Sequence, residues 1–254
     1  MDSERFAFLF GKDDVHIWSA SLRQDAARVE TMLGVLTPDE LDRAKRFSFE
    51  RHRRQYVVGR GLLREILGRY LGKLPAEIRF SYNKYGKPGL ADDDNLRFNL
   101  AHSHEKVLLG LTLGREIGVD LELRHHDFGS LEIAAQFFSP DEVRILRSLP
   151  SEQQHQAFFD CWTRKEAYIK ALGEGLSHPL HRFAVSLVPG EPARLLRTDD
   201  DLMEASRWSL AELSVFPEYA AALAVKGNRP RVHCRNWPDD LSVPNPESNL
   251  NARQ

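Results

Sequence analysis

Ser139-Pro140-Asp141-Glu142-Val143 is a helix start written in five residues. A hydroxyl residue suits the N-cap, proline suits the first helical position, and a glutamate three places on reaches back to the cap's own amide. About a hundred residues earlier, in the manner of an internal repeat, the chain carries the same device as Thr37-Pro38-Asp39-Glu40-Leu41. Their surroundings match as well. Upstream of each lies a strand-like alternation, Val15-His16-Ile17-Trp18 in one case and Gly118-Val119-Asp120-Leu121-Glu122-Leu123 in the other. Downstream, after a polar stretch, each half shows an amphipathic helix, expected over residues 54–71 and 157–172. Strands are expected next at 78–82 and 183–187, then in pairs at 96–102 with 107–113 and 207–212 with 219–225.

The pattern predicts an α+β chain of two pseudosymmetric α/β lobes made by internal duplication, with the active site in the cleft between them. Residues 1–114 would form the N-terminal lobe and 115–227 the C-terminal lobe. Residues 228–254, rich in proline and asparagine, read as a partly ordered tail.

Composition narrows the function. The 254 residues are 42% hydrophobic and 28% charged, as in a soluble globular protein. A formal charge of −2 disfavours a general nucleic-acid binder. No apolar run is long enough to span a membrane, and Met1-Asp2-Ser3-Glu4-Arg5 lacks the basic and apolar regions of a signal peptide, so a cytoplasmic protein is expected. Cys161 and Cys234 are far apart and have no second pair, which argues for buried free thiols over a zinc site or disulfide framework.

Several residues suit chemistry. Asp120 and Glu122, two apart on a strand, project from one face, where they repel unless solvated or neutralised by a cation; an ordinary exposed strand face is the alternative. In Trp162-Thr163-Arg164-Lys165-Glu166-Ala167-Tyr168-Ile169-Lys170, Lys170 lies one helical turn beyond Glu166, a spacing that also makes the commonest surface ion pair. His102 follows an apolar strand and suits a phosphate or a metal, whereas His104 and the pair His125-His126 have no partners at zinc-ligand spacing. Arg53, Arg60 and Arg64 share a helical sector that suits a phosphate-bearing ligand or a solvated flank. Tyr82-Asn83-Lys84-Tyr85-Gly86-Lys87-Pro88 reads as a turn presenting Lys87 at its tip.

In this order and spacing, Tyr85-Gly86-Lys87-Pro88, Phe98-Asn99-Leu100-Ala101-His102-Ser103, Ile117-Gly118-Val119-Asp120-Leu121-Glu122, Phe137-Phe138-Ser139-Pro140-Asp141-Glu142 and the run Trp162 to Lys170 are similar to the motifs of the Sfp-type 4′-phosphopantetheinyl transferases. The resemblance spans about residues 15 to 227. It implies transfer of the phosphopantetheine arm of coenzyme A (CoA) to a serine of an acyl or peptidyl carrier protein, with Mg²⁺; two lobes in one chain make a self-contained cleft possible, so a monomer is expected. It further implies that Asp120, Glu122 and Glu166 hold Mg²⁺, with Asp120, Glu166 and Lys170 catalytic. Arg43, Arg60, Lys87, Pro88, His102 and Lys170 would bind CoA. Glu166 is the candidate base, and Glu142 either joins the site or only caps its helix. Ala101 departs from the serine frequent in the family and Glu174 from a frequent lysine. Two other readings stay open: a CoA-binding protein without transferase activity, and a Mg²⁺-dependent hydrolase acting on the CoA pyrophosphate.

Overall fold

The computed structural model describes residues 10–238, less 12, 94 and 126–129, and shows a mixed α/β protein. Its first sheet takes β1 (Asp14–Ser21), β4 (Leu96–Ser103), β5 (Lys106–Leu113) and β11 (Arg231–Asn236) in the order β11-β1-β5-β4. A second takes β6 (Ile117–Leu123), β9 (Trp208–Glu212) and β10 (Tyr219–Lys226) in the order β6-β10-β9. Two hairpins complete the β structure, β2 (Phe80–Tyr82) with β3 (Pro88–Leu90) and β7 (Phe183–Val185) with β8 (Leu195–Thr198). Among the described residues, no helix is long and apolar enough to cross a membrane.

Strand alternation builds the layers. On β1 and β5, Trp18, Leu109 and Leu111 face the long helix α3 (Glu50–Leu71), while Val15, Ile17 and Leu108 face the other way. On β6, Ile117, Val119 and Leu121 meet that opposite side, so the two sheets share a core. The outer face of the second sheet, lined by Ala220, Ala222 and Ala224, packs on helix α6 (Ser151–Leu172). The order is therefore helix, sheet, sheet, helix. Shorter helices α1 (Ala26–Leu33), α2 (Pro38–Lys45), α4 (Leu131–Phe137) and α5 (Pro140–Ser148) cover the flanks.

Both helix starts form as read. Glu142 accepts from Ser139 N–H at 2.7 Å and Ser139 Oγ from Glu142 N–H at 3.4 Å. Glu40 accepts from Thr37 N–H at 3.0 Å, although the Thr37 hydroxyl turns to Asp39. Each glutamate then goes further than a cap. Glu40 is buried on Arg64, which also donates to the Pro75 and Ile78 carbonyls. Glu142 is buried on Lys165 at 2.8 Å and accepts from Val185 N–H at 2.8 Å. The alternative that Glu142 joins the active site is thereby removed, because its oxygens already have structural partners. Arg64 leaves the sector expected to meet a ligand for the same reason, and Arg53 pairs with Glu50 at 2.8 Å.

Three expectations need correction. Helices α3 and α6 begin at Glu50 and Ser151, earlier than expected, because their first turns are polar and mostly exposed and carry no apolar period. Beyond Gly227 the chain returns to the first sheet, where β11 pairs parallel with β1 from Asp14↔Arg231 to Ser19↔Asn236. This edge strand is exposed at most positions, so it lacks the alternation that marks a strand in sequence. Cys161 is buried, but Cys234 lies exposed on that edge.

Loss of the Glu142 carboxylate strands Lys165, which has no solvent exposure. Glu142→Ala is expected to destabilise the protein by about 3–5 kcal/mol, measured by urea unfolding. A change within about 0.5 kcal/mol would show that the buried pair is dispensable.

Candidate active site

Strand β6 carries Asp120 and Glu122 on the face opposite the sheet–sheet core, as the alternation requires, and that face lies against α6. What lets it lie so close is Gly118. A Cβ there would stand 2.0 Å from the Ala167 carbonyl oxygen and 2.4 Å from Ala171 N, both backbone atoms of α6. No side chain fits. The approach brings Asp120 Oδ1 to 2.5 Å from Lys170 Nζ, with Glu166 one helical turn before that lysine.

A second connection fixes β6 to β4. Asn99 Oδ1 accepts from Val119 N–H at 2.8 Å, and Ser103 Oγ donates to Glu122 Oε2 at 2.9 Å. Ala101 shares their side of β4 and is packed in the sheet–sheet core. A serine hydroxyl at 101 would therefore point into that core, so Ala101 removes no donor from the cleft. His102, on the opposite face, lines the cleft described below.

Three carboxylates thus share one ammonium. Desolvation and the Asp120 charge push Glu122 up to about 7, against the Ser103 bond and Lys170. Glu166 is raised by desolvation and by Asp120, with Lys170 opposing. Desolvation works against the Lys170 ammonium, but Asp120, Glu166 and Glu122 outweigh it and its pKa is raised. Asp120 Oδ2 is buried without a hydrogen-bond partner. A buried acceptor facing surplus negative charge is an unsatisfied group, and a divalent cation is one species whose chemistry fits it.

Among the described residues, the one set of three His, Cys, Asp or Glu donors lying within 4.8 Å of one another is Asp14, His16 and His233. The three acids at β6 and α6 stand further apart than that, as like charges do. The Asp14 set lies on the edge joining β1 to β11, where Arg231 approaches Asp14 at 2.9 Å and the Arg235 charge reaches His16. Those guanidinium groups already supply the positive charge, and the set reads as a polar interlock between the two strands.

Beside the carboxylates a cleft of about 600 Å³ opens between α3, β4 and the β2–β3 hairpin. Arg43, Arg51 and Arg60 line it together with Phe47, Tyr56, Tyr82, Pro88 and His102, and among the described residues no acidic one does. Cations and aromatic faces without acids suit an anionic ligand that carries an aromatic base. His102 ties the cleft to the carboxylates: desolvation and the Lys170 charge lower its pKa. Arg60 stands at the rim, held by Glu40 and donating to Tyr82 Oη at 3.0 Å over the Phe80 ring. Arg43 lies over the Tyr56 ring.

Lys87 is not where the turn signal put it. Its ammonium folds away from the tip to the Ala171 carbonyl at 2.8 Å, the Ile117 carbonyl at 3.3 Å and Glu116 at 3.4 Å. His104 and His125 face each other, Nε2 to Nε2 at 2.8 Å, and His126 lies outside the described residues. Glu174 pairs with His178 at 3.3 Å. Reading the sequence missed Gly118, Asn99 and Ser103. A glycine inside a strand pattern was the available signal for the first; the other two lie in the motif Phe98 to Ser103, whose spacing does not tell what their side chains touch.

Comparison with known proteins gives the same picture along the chain. The 4′-phosphopantetheinyl transferase superfamily model matches residues 116–224, and the model for the 4′-phosphopantetheinyl transferase N-terminal region matches residues 18–111. The chain is 42% identical over 218 residues to the 4′-phosphopantetheinyl transferase HetI of Nostoc sp., covering 85% of this chain and 89% of that protein. It is 33% identical over 158 residues to the 4′-phosphopantetheinyl transferase Sfp of Bacillus subtilis, covering 62% and 69%. Among solved structures, the holo-[acyl-carrier-protein] synthase of Thermotoga maritima aligns with a TM-score of 0.36 at 21% identity, over 45% of this chain and 64% of that one.

Gly118→Ala is expected to cost about 3 kcal/mol or more, because the obstructing atoms are helix backbone; thermal melting checks this, and an unchanged midpoint would refute the close approach. Glu122 gives a pH signature. An acid whose folded pKa stands at about 7 against an ordinary 4.5 loses the protein stability as pH rises between those values. The metal-free protein is expected to lose about 1–2 kcal/mol from this group over that window, after allowance for solvent screening. Glu122→Gln should abolish that part of the slope in melts at several pH values; an unaltered slope would show that Glu122 is not perturbed.

Proposed function

The chain belongs to the 4′-phosphopantetheinyl transferase superfamily, and we propose that it moves the phosphopantetheine arm of CoA to a serine of an acyl or peptidyl carrier protein, with Asp120, Glu122 and Glu166 holding Mg²⁺. The observation that carries the reading is the juxtaposition of surplus carboxylates, including the unpartnered Asp120 Oδ2, with a cleft lined by arginines and aromatic rings. One half fits a divalent cation and the other fits the nucleotide end of CoA. In the cleft, Arg43 would meet the ribose phosphate and Arg60, Pro88 and His102 the nucleotide.

The reaction makes one bond and breaks one. The serine hydroxyl oxygen attacks the β-phosphorus of CoA, and the bond from that phosphorus to the bridging oxygen breaks, leaving adenosine 3′,5′-bisphosphate with the electron pair. Mg²⁺, when bound, offsets charge on the pyrophosphate. Lys170 adds its positive charge beside the same phosphates. Serine is a poor nucleophile at neutral pH, and Glu166 is placed to take its proton, directly or through water. In this scheme Glu122, held by Ser103, orients the cation and takes no part in proton transfer.

We read the helix–sheet–sheet–helix order as two pseudosymmetric lobes, 1–114 and 115–227, with β11 added to the first. Each contains a capping glutamate buried on a cation of its long helix, Glu40 on Arg64 and Glu142 on Lys165. Both parts of the site come from one chain, so a monomer suffices.

Intact-mass spectrometry of apo carrier proteins incubated with CoA, Mg²⁺ and this protein tests the proposal. The expected result is one phosphopantetheine arm added to a serine, lost on adding EDTA and lost by at least about 100-fold in Asp120→Ala and Glu166→Ala variants that still fold. Free phosphopantetheine without protein modification would establish the hydrolase instead. Full turnover in either variant would overturn the site.

A further inference from the structure

The loop from Asn83 to Lys87 grips the end of α6. The last carbonyls of a helix have no partner within it and carry its negative pole, so they favour cations and N–H donors. Asn83 Nδ2 donates to the Gly173 carbonyl at 2.8 Å, and Lys87 Nζ donates to the Ala171 carbonyl at 2.8 Å. The loop is itself held rigid. Asn83 Oδ1 accepts from the N–H groups of Tyr85 and Lys87, both at 2.9 Å.

Lys87 makes a second connection that capping alone does not need. The same ammonium reaches the Ile117 carbonyl at 3.3 Å, on the first residue of β6, and Glu116 Oε2 at 3.4 Å. An ammonium has three donors. All three are engaged, and none is left for a phosphate. Ala171 directly follows Lys170, and Ile117 stands three residues before Asp120. Gly118 fixes how close β6 and α6 come, but a strand on a helix can still slide, and one residue of strand is about 3.3 Å. A slide of that size would break the bridge between the two carbonyls.

We propose that Lys87 is a positioning residue that sets the register of β6 on α6, and with it the spacing of Asp120 and Glu122 from Glu166 and Lys170. The inference rests on the proposed function for its kinetic consequence, though not for its effect on cation binding. Gly86 and Pro88, its neighbours in the loop, line the cleft.

The test compares wild type, Lys87→Met, which keeps the stem and removes the donors, and Lys87→Arg, which restores a cation with several donors. Mn²⁺ titration followed by electron paramagnetic resonance and calorimetry with adenosine 3′,5′-bisphosphate are read beside transfer kinetics. In Lys87→Met the Mn²⁺ dissociation constant is expected to rise at least about fivefold and kcat to fall at least about tenfold, with the KM for CoA and the nucleotide affinity within about twofold. Lys87→Arg should recover most of both losses. A rise of about tenfold or more in the KM for CoA with kcat and Mn²⁺ affinity unchanged would make Lys87 a nucleotide ligand and overturn the proposal. If Lys87→Met does not fold, Asn83→Ala, which removes the loop's other hold on α6, is measured instead. Weaker Mn²⁺ binding with unchanged nucleotide affinity supports the proposal, and unchanged Mn²⁺ binding overturns it. A wild type that transfers to no carrier would fail the proposed function, while the Mn²⁺ comparison would still decide the role of Lys87.

Discussion

The site depends on a missing side chain. At Gly118 the second sheet touches the backbone of α6 with no room for a Cβ, and only at that separation does Asp120 reach Lys170 and the carboxylates of strand and helix share one field. The other positioning contacts place β6 and its acids from the side of β4. Asn99 sets β6 against β4, and Ser103 turns Glu122.

One strand serves stability and function on alternate residues. Ile117, Val119 and Leu121 are buried between the sheets, while Gly118, Asp120 and Glu122 face the helix. The apolar half anchors the acidic half. Placing like charges together in a partly desolvated setting costs free energy, visible in the upward shifts of Glu122 and Glu166, and the buried core on the other face offsets that cost. The cation proposed at this site would relieve that repulsion.

What was legible in the sequence was whatever local chemistry repeats. The capping glutamates, the strand alternation and the long helices were readable because each is a rule about neighbours in the chain. Asp120 and Glu122 were readable as candidates because two acids on one strand face call for a counter-charge, whereas Glu166 and Lys170, at the spacing of a common surface ion pair, gained a role only through the resemblance to the transferase family. Residues whose meaning comes from the other side of the molecule were not. Lys87 looks like a turn-tip cation until α6 presents its carbonyls, Arg64 looks like a ligand-binding arginine until Glu40 is buried on it, and β11 is a strand only because β1 offers an open edge. Glu142 showed the same ambiguity, and only its bond to Val185 N–H and its pairing with Lys165 resolved it.

The approach of β6 to α6 is proposed to build a cation site next to a nucleotide-binding cleft. Crystals of the protein soaked with CoA and Mn²⁺, measured at a wavelength where manganese scatters anomalously, test it most directly. The expected result is one strong anomalous peak bounded by Asp120, Glu122 and Glu166, with the CoA pyrophosphate against it and the adenine end in the cleft beside Arg43 and His102. A peak at Asp14, His16 and His233, or CoA bound with no metal at the three acids, would contradict it.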